Sequence, residues 1–504
     1  MRHAVLMLVL ASCLLLVGSA AAQETSPRMK MTTTIPPGIA TPDTLETRIG
    51  TLHLVDGVPT AETARLLYDN LDFQRGVQAY LSSIQIASMH AMREGILKFG
   101  PANRTVLMFA DLMDSHALFL TPNTTSVYNV LWLELADEPM VMETPPNVLG
   151  LINDYWFHYV CDFGNAGPDR GKGGKYLIVP PDYEGALPDG FHVVRTQTHN
   201  HWVIWRGFQQ NGDTKPAVEA TKKSFRLYPL SQSESQPELT FLNVSGKEFN
   251  TIHAGDYRFF EEVNEVVQAE PPEGQDPEIL GLLASIGIRK GEPFKPDARM
   301  KAILEDAANV GTATARALAS RPRDKKFYYY PGESYWVTPF VGGSYQFIEN
   351  GARLLDARAF FHFYATGITP AMSMAAVGKG SQYAAAFLDA EGKPFDGSKT
   401  YRLHLPPGVP AKNFWSIVVY DNQTRSQLQT DQRFPSVSSA RETTKQNADG
   451  SYDVYFGPTA PEGKESNWIQ TIPGKGWNML LRLYGPAQSW FDKTWRPAAP
   501  VVVD

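Results

Sequence analysis

The sequence predicts a mainly β chain with a helical middle section, built from an N-terminal antiparallel β domain and a C-terminal jelly-roll-like β-sandwich. Three observations lead there. The 40 Gly and 37 Pro are spread along all 504 residues, which suits many short strands and tight turns. Short apolar runs separated by turn residues fill positions 105–205 with no helix alternating between them, which argues against a doubly wound parallel sheet. Strand-like runs then return after residue 400, behind a stretch of helical periodicity.

Along the chain, Met1 to Ala22 reads as a secretory signal. Arg2 supplies the charge, Ala4 to Val17 the apolar run, and Ala20-Ala21-Ala22 the small residues of a cleavage site. Cys13 offers a lipoprotein alternative, but cleavage there would leave Leu14-Leu15-Leu16-Val17 at the new terminus. A periplasmic or secreted location is expected. Without Cys13, Cys161 is the sole cysteine, so no intramolecular disulfide can form, and its aromatic setting suits a buried small hydrophobe. A net charge of −7 disfavours nucleic acid as a partner, because phosphate binding needs a concentrated basic surface. No later segment is apolar enough to span a membrane.

Residues 23–44 are Pro- and Thr-rich without period and read as a linker or extended arm. The first β-rich domain is placed at 45–221. Thr60 caps a packing helix carrying Leu67, Leu71, Val77, Tyr80, Leu81 and Ile84. Strands are expected at 105–109, 126–135, 141–144, 156–162, 176–179 and 192–205. A mixed, mainly helical connector takes 222–375, with helices at 278–288, 297–318 and 352–364. The second has Met300, Ile303, Leu304, Ala307, Val310, Thr314 and Leu318 as one apolar stripe behind an Asp297 cap; in the third, Arg353 and Arg358 can face water. The C-terminal domain, 376–504, has a central strand at 413–421 that is apolar on both faces, a hairpin at Asp449-Gly450, and a closing strand at 478–484.

The stretch from Tyr155 to Pro181 gathers the residues best suited to chemistry. On one strand, Trp156, His158, Val160 and Asp162 share a face. Trp156 could stack on a sugar, His158 could act as general base, and Asp162 could stabilise charge, although residues i and i+4 on a strand lie about 13 Å apart. Arg170, Lys172 and Lys175 punctuate a glycine-rich loop that could meet an anion. Trp202 and Arg206 are further ligand-binding candidates. The loop is no phosphate loop: Asp169 stands where the first glycine is needed, Tyr176 replaces Ser or Thr, and a strand follows. A dinucleotide fingerprint fails likewise, so no nucleotide cofactor is expected. His199 and His201 form a His-x-His pair that could give a metal two ligands, but nothing nearby in sequence supplies a third. Serine-hydrolase elbows, zincin motifs and paired Cys-x-x-Cys are absent. The tract Phe327 to Gly332 with Tyr335 and Trp336 suits interface packing better than ligand stacking.

Certain segments are specific enough to compare. Arg48 to Leu52 with Asp56-Gly57, Tyr68 to Arg75, Gly173 to Tyr176 and Pro180-Pro181 resemble the bacterial family known as domain of unknown function 1254. Tyr401 to His404, Phe414-Trp415-Ser416 to Tyr420-Asp421, Asp449 to Ser451, Asn467-Trp468 and Arg482-Leu483-Tyr484 resemble its usual partner, domain of unknown function 1214. The resemblance implies a β-rich first domain, a helical middle and a C-terminal jelly roll similar in topology to bacterial peptide N-glycanase. The stretch Thr198 to His201 departs from that pattern in its histidine pair. Together these readings point to an exported hydrolase acting on a glycan or related polar ligand, with a non-catalytic envelope protein that binds a ligand or partner as the alternative.

Overall fold

The computed structural model describes residues 29–503 apart from Asp137, so the expected signal segment and Cys13 lie outside the described residues. Helix takes 26% and strand 28%, so the fold is β-rich in its number of sheets but carries almost as much helix. Residues up to 68 form one body and Asp69 onward a second. In the first, 29–43 are exposed and lack regular structure, followed by the strands Thr44–Thr47, Gly50–Val55 and Val58–Pro59 in an antiparallel meander. The Thr60 hydroxyl accepts from the Thr63 amide and caps helix α1, Ala61–Leu97.

The second body is layered. Its largest sheet has six strands in the order 240–243, 105–108, 126–134, 200–208, 148–154 and 159–164. One face carries Val106, Met108, Leu131, Leu133, Val203 and Trp205 and shares a core with Met142, Tyr176, Ile178 and Leu227 of a four-stranded sheet. The other face carries Leu107, Val130, Trp132, Trp202 and Ile204 and packs under helices. Within these two sheets the pairing is mostly antiparallel as expected, with two parallel exceptions: 240–243 on 105–108, and 192–195 on 175–179. Strands Arg226–Pro229 and Thr240–Asn243 lie beyond residue 221 and yet complete these two sheets.

The longer helices among the described residues are α1, α2 at Lys215–Ser224, α3 at Arg258–Ala269, α4 at Pro277–Ser285, α5 at Ala298–Ser320 and α6 at Leu355–Tyr364. The sequence reading missed α2 and α3. The Asp297 cap of α5 is present, accepting from the Met300 amide. Its buried stripe is rotated from expectation: Ala308, Gly311 and Ala315 face inward while Val310 is 43% exposed. The reason is close helix contact. A Cβ on Gly311 would stand 2.5 Å from the Tyr80 ring, and one on Gly76 would stand 2.8 Å from the Ala307 Cβ, so small residues set the interface where α1 meets α5. Arg358, expected to face water, is buried instead, and burial pushes its pKa down to about 10.

The C-terminal part has two sheets sharing one core, with Leu403, Ile417, Val419, Val454, Trp477, Met479 and Leu481 inside it. The strands Ala411–Asp421 and Gly476–Pro486 are adjacent, and the first is covered on both faces as the sequence predicts. Their alternate residues Val418, Tyr420 and Leu480 join the helix-side core. The aromatic tract packs as expected: Tyr330 and Trp336 are buried, and the Trp336 indole donates to the Ala498 carbonyl at 3.1 Å. No helix among the described residues is long and apolar enough to cross a membrane.

Candidate functional site

The face joining Trp156, His158 and Asp162 is not formed. Strand Val148–Asp154 ends before them and strand Tyr159–Gly164 begins after His158, so 155–158 is a hairpin turn with Phe157 at φ 68°. Alternation cannot hold across a turn, and the side chains diverge. Trp156 is fully buried with its indole nitrogen unpartnered, so it offers no stacking surface. Asp162 is buried under the Thr369 hydroxyl, which donates to it at 2.7 Å, and burial pushes its pKa up to about 6. His158 finds a different carboxylate. Asp154 Oδ1 accepts its amide at 2.7 Å, and Oδ2 stands 3.4 Å from its Nδ1. The ring is 47% exposed; its partial desolvation lowers the pKa, but the Asp154 charge and hydrogen bond outweigh that and raise it.

The glycine loop is closed on itself. Asp169 Oδ1 accepts from the Gly164 amide at 2.7 Å and the Tyr176 hydroxyl at 2.6 Å, while Oδ2 accepts from the Gly173 amide at 3.2 Å. The Gly171, Lys172 and Gly174 amides donate to Gly164, Asp169 and Thr144. The backbone donors that an anion would need are therefore spent inside the protein. Arg170 and Lys172 are exposed, and Lys175 pairs with Glu143 at 3.0 Å.

The expected strand 192–205 is two strands, 192–195 in the four-stranded sheet and 200–208 in the six-stranded one. The crossing is pinned by the buried Glu270 carboxylate, which accepts the His199 amide at 2.7 Å and the Asn200 amide at 3.0 Å. His199 precedes its strand and its Nε2 lies 3.8 Å from Asp182. His201 is entombed beside Thr198, and burial pushes its pKa down to about 4. The two do not form a ligand pair. Among the described residues no group of three potential ligands forms a metal site. Trp202 is fully buried and Arg206 half-buried. Cys161 is partly buried, and desolvation, then the Asp162 charge, push its thiol up, which fits an inert thiol.

A cleft of about 400 Å³ opens instead where α1, α3 and the same hairpin turn meet, lined by His90, Arg93, Glu94, Tyr155, Asn200 and Glu265. His90, Arg93 and Glu94 sit three and four residues apart on α1, hence on one helix face. The Tyr155 ring packs edge-on to Trp132 at 5.1 Å, and its hydroxyl lies 3.4 Å from His90 Nδ1. Burial lowers the His90 pKa and raises that of Tyr155, so both favour the neutral form near pH 7. A neutral phenol can donate to Nδ1, which would leave Nε2–H as the ring's donor. Arg93 pairs with Glu134 at 2.9 Å and Glu94 at 3.3 Å. Asn200 is oriented by the Trp132 indole, which donates to its Oδ1 at 3.1 Å. Of these, only Tyr155 lay in the stretch singled out from sequence. The signal missed was the His90, Arg93 and Glu94 triplet within the apolar run of a packing helix.

Residues 103–229 match the family described as "Protein of unknown function (DUF1254)", and residues 380–488 that described as "Protein of unknown function (DUF1214)". The chain carries both domains, in the expected order. The Asp169 loop, Tyr155 and Asn200 belong to the first matched segment, while His90 and Arg93 precede it. No curated protein matches the chain. Among solved structures, the VPA0106 protein from Vibrio parahaemolyticus is 18% identical, with 86% of this chain and all of that one covered and a TM-score of 0.53, a likeness of fold. An uncharacterized protein from Burkholderia cenocepacia is 13% identical over 87% of this chain and 96% of that one, with a TM-score of 0.40.

Proposed function

We propose that the protein binds a small, hydroxyl-rich ligand, of the kind a glycan unit presents, in the cleft at His90. The observation that carries this reading is the neutral Tyr155–His90 pair set among Arg93, Glu94, Glu265 and Asn200. The charges of Glu94, Glu265 and the neighbouring Glu134 outnumber that of Arg93, which disfavours an anion, whereas vicinal hydroxyls can donate to carboxylates and accept from Arg93, Asn200 and Nε2–H. Binding without turnover is favoured because the residues expected to carry hydrolysis are dispersed. Hydrolysis is the second reading, supported by a neutral imidazole sharing the cleft with two carboxylates. The periplasm or extracellular space is proposed as the location, from Met1 to Ala22, and a jelly roll as the topology of the two C-terminal sheets.

The test is calorimetric titration of the purified chain with a panel of mono- and oligosaccharides, repeated with His90→Ala and Arg93→Ala, with chromatography of the products. Saturable binding that weakens about tenfold in either variant supports the reading. Product that accumulates with wild type and not with His90→Ala moves the conclusion to the hydrolase. Binding unchanged in both variants removes the cleft from consideration.

A further inference from the structure

A second constellation, separate from the cleft, lies between the six-stranded sheet and the C-terminal sheet. Tyr383 and Ser416 stand directly opposite Arg482 on its two neighbouring strands, so the three side chains leave the sheet on one face; Tyr484, two residues along, shares it. From the facing sheet come Tyr128 and Arg206, which are cross-strand partners. Arg482 donates to the Thr121 carbonyl and the Tyr420 hydroxyl to the Pro122 carbonyl, while the adjoining Asn123 donates to the Tyr128 hydroxyl, so the two sets are joined through residues 121–123.

What distinguishes this cluster is an excess of donors. Arg482 is 4% exposed, and its guanidinium donates to the Tyr420 hydroxyl at 2.7 Å and the Thr121 carbonyl at 2.6 Å. Among the described residues it meets no carboxylate, and Arg206 has neither an ion pair nor a hydrogen bond. The Ser416 hydroxyl, on a fully buried residue, and the Tyr484 hydroxyl, also shielded from water, have no partner. A buried guanidinium without a counter-charge costs several kcal/mol, and unpartnered buried hydroxyls add to that. Arg358 and Arg425 are likewise buried without a carboxylate, and each keeps an unpartnered guanidinium nitrogen, so Arg482 is set apart by the orphaned Ser416 and Tyr484 hydroxyls that share its sheet face. Arg425 lies over the Phe363 ring and donates to the Phe363 and Gln423 carbonyls, with no orphaned hydroxyl from its own segment beside it.

We propose that Arg482 and Arg206, with Ser416, Tyr383 and Tyr484, form a binding site for a small oxyanion, a carboxylate or a phosphate group. The anion supplies the missing charge and accepts from the hydroxyls and the remaining guanidinium N–H groups, which point to a planar or tetrahedral set of oxygens. Ser416, Tyr420, Arg482 and Tyr484 all fall within the segment matched to DUF1214, so the site would belong mainly to that domain, with Arg206 contributed by the other. It differs in sign from the cleft at His90: here every ionised side chain is a cation.

The test is a thermal-shift and calorimetric titration of the full chain with inorganic phosphate and with succinate, against sodium chloride at matched ionic strength. Saturable stabilisation by phosphate or succinate and not by chloride is expected, and the tighter of the two identifies which source of oxyanion fits. Arg206→Gln and Ser416→Ala are expected to weaken that binding about tenfold or more and to leave saccharide binding at the cleft unchanged. Arg482→Lys serves as a third variant, and the half-exposed Arg206 keeps the test decisive if Arg482→Lys does not fold. Equal shifts from all three salts, or wild-type affinity in both Arg206→Gln and Ser416→Ala, overturn the proposal.

Discussion

Replacing Asp162 by Asn is expected to stabilise the protein at pH 8 and to leave it unchanged near pH 4. The carboxyl is buried, accepts from the Thr369 hydroxyl, and has its pKa pushed up from 3.8 to about 6 by burial. Because the folded-state pKa lies above the unfolded one, folding favours the protonated form. The stabilisation associated with that proton is complete below about pH 3.8 and is lost as the pH rises through about 6. At 1.36 kcal/mol per pKa unit, the difference is worth roughly 3 kcal/mol at most, which is the cost of carrying the ionised group in the fold at pH 8. Asn keeps an acceptor for Thr369 and cannot ionise. Urea denaturation of both proteins from pH 4 to pH 8 measures the effect, with curves expected to coincide at the acid end and separate above pH 6. A variant less stable than wild type at pH 8 would show that Asp162 is held as a carboxylate, and the reasoning from burial would fail.

Other outcomes follow from the same geometry. Asp169→Ala removes the acceptor of the Gly164 and Gly173 amides and the Tyr176 hydroxyl, and is expected to cost about 3 kcal/mol or more in denaturant unfolding and to open the 164–175 loop to protease. Gly311→Val drives a side chain into the Tyr80 ring and is expected to cost about 1–3 kcal/mol, whereas Val310→Ala on the exposed side stays within about 0.5 kcal/mol by the same measurement. The His158–Asp154 pair stabilises while the imidazole is charged: its contribution is present below pH 6.5 and is lost as the pH rises through the raised folded-state value. His158→Ala should therefore flatten that part of the pH-stability profile, read from thermal midpoints at pH 5 and pH 8.

Runs such as 126–134 and 175–179 were legible because alternation and turn residues are local signals. The Ala411–Asp421 strand was recognised as covered on both sides because a two-faced apolar run has few other uses. The face of Trp156, His158 and Asp162 failed because a turn at Phe157 requires a positive φ that no glycine or asparagine announces. The strand at 192–205 was read as one because its break is imposed by Glu270, some seventy residues away. The orientation of α5 was missed because close contact with α1 selects the glycine and alanine side of the helix, and a hydrophobicity pattern ranks valine above glycine.

By itself the sequence determined the two-domain order, the sheet-rich ends, the capped helices and the exclusion of a phosphate loop, since each rests on residues near one another in the chain. Only the tertiary structure decided which polar groups meet: Asp154 with His158, His90 with Tyr155, Arg482 with Tyr420 and Thr121. Burial and partner choice are properties of packed surfaces, and they set the charge state of His90, Tyr155 and Asp162.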